Sequence, residues 1–255
     1  MDTAEFVSRL DERLRTDDYA DVDASPNGLQ VGTAEGDVER VAFAVDAAVA
    51  TIDAAIEWDA DLLVTHHGIV WGSIERVTGT AHDRIAPLLQ NDVGLYVSHL
   101  PLDGHPDLGN GARLADLLDL GNRAPFGELG PEYVGQQGVL PEPTPLDDLV
   151  ATLSTELPTG DGSVQVLEHG PETVSNVGIV TGSGSDWLDE AAAEDVDVLL
   201  TGEGKQKVYH EAREAGVNVI LAGHYATETG GVRALQSLAA EWGLETTYVE
   251  HPTGL

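Results

Sequence analysis

VERVAFAVDAAVATIDAAIEWDADLLVTHHG, residues 38–68, can be laid over VSNVGIVTGSGSDWLDEAAAEDVDVLLTGEG, residues 174–204. Each stretch opens with an apolar strand, turns, and runs through an acidic, alanine-rich helix. Each then ends in Asp-Ala-Asp-Leu-Leu-Val-Thr or Asp-Val-Asp-Val-Leu-Leu-Thr, so Thr65 pairs with Thr201 and His67 with Glu203. Both copies go on through a further helix and strand to SHLPLD (98–103) and GHYATE (223–228), where His99 matches His224 and Asp103 matches Glu228. Two copies at so long a period indicate a duplication and not a solenoid. Strands alternating with helices indicate a largely parallel sheet covered on both faces. The expected fold class is therefore α/β: two intertwined, duplicated α/β/α halves with mostly parallel sheets.

The two copies differ in one place. Gly68 to His99 spans 31 positions and Gly204 to His224 spans 20, so the first copy carries about eleven extra residues, placed within IVWGSIERVTGTAHD. The loop around Trp71 is expected to cap a substrate. The halves are set at 1–124 and 125–255, with GNRAPFGELGPEY (121–133) as the glycine- and proline-rich joint and the C-terminal segment packing back on the first half. Phe6, Val7, Leu10 and Leu14 share one face of an N-terminal helix. Ser25-Pro26-Asn27-Gly28-Leu29-Gln30 reads as a turn. Ser185, in TGSGSDW, reads as a helix N-cap.

Composition limits the chemistry. The 255 residues contain no cysteine, which removes disulfides, thiolate metal sites and cysteine nucleophiles. A metal would have to be held by imidazole and carboxylate, favouring zinc, manganese or iron. Acids outnumber bases 45 to 12, a formal charge of −33, and the only lysines are Lys205 and Lys207. The acids are spread along the chain, so this is a charged surface and not an acidic tail. Self-repulsion of this size is relieved when the Debye length shrinks to about 3 Å at 1 M salt, which points to a salt-rich, halophilic cytoplasm. The same charge makes nucleic acid an unlikely partner. No apolar run reaches membrane-spanning length and the first residues lack a basic leader, so a cytoplasmic location is expected.

In open parallel sheets, ligands gather beyond the carboxyl ends of the strands. Four polar clusters fall at such ends: His66-His67, His99 to Asp103, Gly202-Glu203, and His224 to Glu228. Each has an ordinary explanation when taken singly: a turn histidine, a surface His–Asp pair, a helix start. Their matched positions in two copies favour a metal, with the expected site in the cleft between the two halves. Four histidines with Asp103, Glu203 and Glu228 exceed what one structural ion needs and suit two ions bridged by a carboxylate. His82, His105 and His210 are expected to support the ligands through hydrogen bonds, whereas His169 and His251 read as solvated loop residues. TGEGKQK lacks the spacing of a phosphate-binding loop.

Five segments, SPNGLQVG (25–32), LLVTHHG (62–68), SHLPLDGHPDLGN (98–110), LLTGE (199–203) and AGHYATETGGVRAL (222–235), resemble the Nif-three-like dinuclear metal-centre family over nearly the whole chain. Some members of that family carry the label GTP cyclohydrolase I type-two homologue. The resemblance implies that His66, His67, Asp103, His224 and Glu228 ligate two divalent metal ions per subunit. It leaves His99 as a neighbour, where the duplication alone had offered it as a ligand. It also implies a toroidal homohexamer, in the short form of the family without an inserted domain. The activity expected is metal-dependent hydrolysis of a small-molecule substrate, with Glu203 or His99 as the catalytic general acid/base. The alternative is a non-catalytic metal-binding hexameric scaffold or metal carrier.

Overall fold

The computed structural model describes Met1–Leu255 and divides into two units. The first comprises Met1–Leu102 with Val232–His251, and the second Asp103–Gly231 with Pro252–Leu255. The boundary thus falls at Leu102, and the chain returns to the first unit at Val232, partway along its last long helix, and stays there for the final strand.

In the first unit, β1 (Gly28–Val31), β2 (Arg40–Asp46), β3 (Leu62–His67) and β4 (Gly94–Val97) join β11 (Glu245–Tyr248) in one sheet of order β1-β4-β3-β2-β11. Strands β11, β2, β3 and β4 run parallel, and β1 closes the edge antiparallel to β4. The central strands are continuous apolar runs because helices cover them, and Ala42, Ala44, Leu63, Leu95 and Val97 are all buried. Ile52 and Ala55 of helix Val49–Glu57 and Leu88 of helix Thr80–Gln90 fill the same core. Each fully buried branched side chain contributes about 1.5–3 kcal/mol. The N-terminal helix, Thr3–Leu14, buries Phe6, Leu10 and Leu14 and is capped by Asp2, whose side chain accepts from the Glu5 N–H.

The second unit carries β5 (Gly121–Leu129), β6 (Glu132–Pro145), β7 (Gln165–Leu167), β8 (Thr173–Ile179), β9 (Val198–Thr201) and β10 (Asn218–Leu221) in the order β5-β6-β8-β9-β10-β7. Only β8–β9 and β9–β10 are parallel; β5–β6, β6–β8 and β10–β7 are antiparallel. This sheet is mixed, where a mostly parallel one was expected. The cause is the segment taken for a joint: residues 121–133 are β5 and a tight turn through Gly130 at φ +62°, and so short a connection can only join antiparallel neighbours. Its core includes Leu149, Leu153, Val177, Ile179, Val198, Leu200 and Ile220. No helix is long and apolar enough to cross a membrane.

Candidate metal centre

Strand β3 delivers His66 and His67 at its carboxyl end, and His99 follows β4, the neighbouring strand in register. One ligand atom from each of the three imidazoles lies within 4.8 Å of the others. His66 is fully buried and its ring centroid is 4.6 Å from His67 and 5.1 Å from His99.

Every one of these rings is held through Nδ1. The Ser98 carbonyl takes His66 Nδ1 at 2.9 Å, Asp46 Oδ1 takes His67 Nδ1 at 2.9 Å, and Asp23 Oδ1 takes His99 Nδ1 at 2.8 Å. Acceptors at Nδ1 fix the proton there and leave Nε2 with its lone pair, the tautomer a metal needs. Asp46 is the direct register partner of His67 across β2 and β3.

The SPNGLQ segment does more than turn. Asp23, 1% exposed, accepts from the Ser25 and Leu100 N–H groups and from Asn27 Nδ2, while Asn27 Oδ1 accepts the His99 N–H at 2.7 Å. Burial alone would raise the Asp23 pKa, but the hydrogen bond from His99, that ring's charge, Asn27 and the Ser25 N–H outweigh it and hold the carboxyl below its usual range. Gln30 Oε1 accepts from the Ile69 and Val70 N–H groups, clasping the chain as it leaves the histidines. A β-carbon at Gly68 would collide with that Gln30 amide, so the glycine that ends LLVTHHG leaves room for the clasp.

In the second unit, Glu228 (2% exposed) and Asp103 (7%) bring carboxylate oxygens within 4.8 Å of each other, and His224 Nε2 stands 3.2 Å from Glu228 Oε1. Asp103 Oδ1 accepts from Asn110 Nδ2 and Thr181 Oγ1, both at 2.9 Å. Asn110 Oδ1 in turn accepts the Gly231 N–H, and a β-carbon at Gly231 would strike that oxygen. This close approach explains a glycine in the middle of helix His224–Glu241, where it costs roughly 0.5–1 kcal/mol relative to alanine. Gly182, at φ +58°, lies directly against Glu228 Oε1, and a β-carbon at Gly202 would sit 2.7 Å from the His224 Cα.

Here too Nδ1 is engaged: Glu203 Oε1 lies 3.2 Å from His224 Nδ1 and accepts a short hydrogen bond from Ser183. That bond from Ser183 is the main reason the Glu203 carboxyl sits below its usual range, with His224 adding to it against partial burial. Burial by itself would lower the His224 pKa, yet the hydrogen bond and charge of Glu228, followed by those of Glu203, push it up to about 9. Two nearly buried carboxylates close together, one of them against an imidazole, form a site that demands positive charge. A proton on His224 meets part of that demand, and a divalent cation with nitrogen and oxygen ligands meets it better.

The residues singled out in the sequence thus fall into two sets: His66, His67 and His99 in the first unit, and Asp103, Glu203, His224 and Glu228 in the second. The contacts seen at the histidines expected to support them are local ones. His82 pairs with Asp83 at the surface, His105 Nδ1 accepts the Asp107 and Leu108 N–H groups in a local turn, and His210 lies edge-on to Tyr209. The Nδ1 atoms of the site are met by Asp23, Asp46, Ser98 and Glu203. The sequence signal for Asp46 was its position at the end of the strand preceding β3; Asp23 had none beyond its closeness to Asn27. Ser185 does not cap a helix: residues Gly184–Trp187 form a 3₁₀ turn without a side-chain cap, and the hydroxyl that matters is Ser183.

The Duf34/NIF3 (NGG1p interacting factor 3) family model matches residues 1–253. A Halobacterium salinarum protein named GTP cyclohydrolase 1 type 2 homolog is 59% identical over 255 residues, covering 100% of both chains. An Escherichia coli protein of the same name is 37% identical, covering 99% of each. Among solved structures, one described as protein ybgI of unknown function superposes with a TM-score of 0.91 at 35% identity, and TTHA1606 from Thermus thermophilus with 0.88 at 40%, each covering both chains completely. The chain belongs to the Duf34/NIF3 family.

Proposed function

We propose that the protein is a dinuclear metal-dependent hydrolase whose ligands are His66, His67, Asp103, His224 and Glu228. The observation that carries this reading is the uniform engagement of Nδ1 in His66, His67, His99 and His224, which orients each ring and, in the first three, favours the tautomer that coordinates through Nε2. Zinc, manganese or iron fits the donor set of imidazoles and carboxylates. Divalent ions supply the Lewis acidity that makes water a competent nucleophile near neutral pH.

The side chains contribute the rest. Glu228, close to both His224 and Asp103, is the carboxylate suited to bridge. Asp103 is oriented through one oxygen by Asn110 and Thr181. Glu203, held ionised by Ser183, accepts a proton and also fixes the His224 ring. His99, aligned by Asp23, either joins the ligands or carries a proton beside them. The names of the relatives support a purine nucleotide triphosphate as one substrate to test. The same reading includes a ring-shaped homohexamer and a salt-rich cytoplasm, checked by sedimentation and by the dependence of stability on potassium chloride.

The test is elemental analysis of protein purified in high salt without chelator, repeated on His67→Ala and Glu228→Ala, with a turnover screen over nucleotides and phosphoesters after it. Two ions per subunit, reduced in both variants, are expected. Glu203→Gln assayed at saturating metal should keep its ions and lose turnover. Full metal content with undiminished turnover in Glu203→Gln, or no turnover in the wild type, would leave a metal carrier or scaffold in place of the enzyme.

A further inference from the structure

Beyond Gly68 the chain runs without helix or strand to Thr80, and this loop curls around an open concavity of about 480 Å³. Its wall includes Ile69, Val70, Trp71, Ile74, Glu75 and Arg76. Trp71 is 49% exposed, although an indole is among the most favourable side chains to bury. Its ring lies edge-to-face with His99, centroids 5.0 Å apart at 84°, and 6.3 Å from His67. The indole therefore extends the histidine cluster of the same unit outward, with half of its surface open.

Arg76 is the second anomaly. In a chain with 45 acids, exposed arginines commonly find carboxylates: Arg9 meets Glu5, Arg15 meets Asp18 and Arg233 meets Glu250, while Arg213, outside this concavity's lining, pairs with none. Arg76 is exposed on the concavity and makes no hydrogen bond or ion pair within the chain. A guanidinium presents a planar fork of donors that matches an oxyanion such as phosphate or carboxylate. Its partner on this concavity then comes from outside, in a chain whose net charge of −33 disfavours anions in general.

We propose that Trp71 and Arg76 recognise a planar aromatic ligand carrying an anionic group, the ring lying on the indole and the oxyanion on the guanidinium. Glu75, on the same wall, offers an acceptor to ring N–H groups. The inference names the substrate class of the proposed hydrolase and rests on that reading for any chemistry after binding. Binding itself needs neither metal nor turnover.

The test is calorimetric titration of the full-length protein, as purified and after chelation, with four probes. Adenosine 5′-monophosphate carries ring and phosphate, adenosine the ring alone, ribose 5-phosphate the anion alone, and 2-naphthoate a ring with a carboxylate. The monophosphate or the naphthoate is expected to bind most tightly, which also tells which oxyanion is preferred. Trp71→Ala should weaken both adenosine and its monophosphate at least about fivefold, the scale of one lost aromatic stack. Arg76→Gln should weaken the monophosphate about threefold or more and leave adenosine unchanged. No binding by any aromatic probe, or equal binding to the Trp71→Ala variant, overturns the proposal. So does a changed sedimentation coefficient in Trp71→Ala, which would make Trp71, Ile74 and Val77 a contact between copies. Failure of the hydrolase reading is seen separately, in metal content and in Glu203→Gln.

Discussion

Replacing Asp46 by alanine tests the argument that prepared imidazoles mark a metal site. The change removes the acceptor of the 2.9 Å bond to His67 Nδ1 and leaves the backbone ladder between β2 and β3 untouched. Without Asp46 the His67 ring can rotate and can carry its proton on either nitrogen, so part of the population loses the competent Nε2. Loss of such an outer partner typically costs 10–100-fold in metal affinity. Asp46 is 33% exposed and His67 17%, so water can replace part of the lost bond, and the expected loss is at the lower end, about tenfold or ~1.4 kcal/mol. Asparagine keeps an acceptor but no charge, and a neutral bond has roughly half the strength of a charged one, so Asp46→Asn should fall about threefold. Glu35→Gln, an exposed acid remote from the histidines in sequence, controls for the change in net charge and should have no effect at high salt. The assay is competition for zinc against a chelator of known affinity, with thermal melts to show that the fold persists. Wild-type affinity in Asp46→Ala would refute the reasoning and remove His67 Nε2 from the ligand set.

Asp23→Asn turns one acceptor oxygen into a donor facing N–H groups, so a cost of about 3–5 kcal/mol is expected, and at about 2–4 °C per kcal/mol the melting temperature should fall by roughly 10 °C; a loss under about 3 °C would show that the clasp around His99 is not structural. Gly182→Ala places a methyl against Glu228 Oε1 and 3.1 Å from His224 Nε2, so metal content should drop while circular dichroism is preserved, and unchanged stoichiometry would contradict a role for Glu228. Tyr96, whose hydroxyl donates to Asp11 at 2.8 Å, has its pKa raised well above 10 chiefly by burial, then by the Asp11 charge. The unfolded chain releases that phenolic proton first, so stability should decline as pH rises beyond about 10, and Tyr96→Phe should flatten the decline in denaturant titrations at pH 9–11. In chelator-treated protein, His224 titrates near 9, so the stabilisation from its carboxylate partners is complete below about 6.5 and lost as pH rises through 9; an NMR midpoint near 6.5 would refute the pairing.

What the sequence disclosed was governed by periodicity. Strands such as Arg40–Asp46 and Leu62–His67 and the helix Thr3–Leu14 were legible because burial imposes a regular apolar pattern on each. The hairpin of β5 and β6 was not. Residues 121–125 of β5 are exposed, so no apolar pattern announces a strand, and its glycines suggested a linker. The clustering of His66, His67 and His99 was legible from their places at the ends of neighbouring parallel strands, which is a matter of chain geometry. The identity of their hydrogen-bond partners was not, because Asp23 precedes His99 by 76 residues and only the fold brings them to 2.8 Å.

The acids show most plainly where reading had to stop. With 45 of them in 255 residues, a carboxylate carries almost no information by its type, since most serve to keep an acidic surface hydrated. Burial separates the few that differ. Asp23, Asp103 and Glu228 are each at most 7% exposed, and each is held by hydrogen bonds or by an imidazole. A buried carboxylate is expensive unless paired, so an acidic surface gives no reason to retain one inside. Salt should act on the two populations in opposite measure: screening reaches the exposed acids and scarcely the buried ones. Raising potassium chloride should therefore stabilise the fold as a whole while leaving the Asp23 clasp and its cost on substitution nearly unchanged. A penalty for Asp23→Asn that shrank in proportion to surface repulsion would place that carboxylate with the solvating acids and detach it from the site.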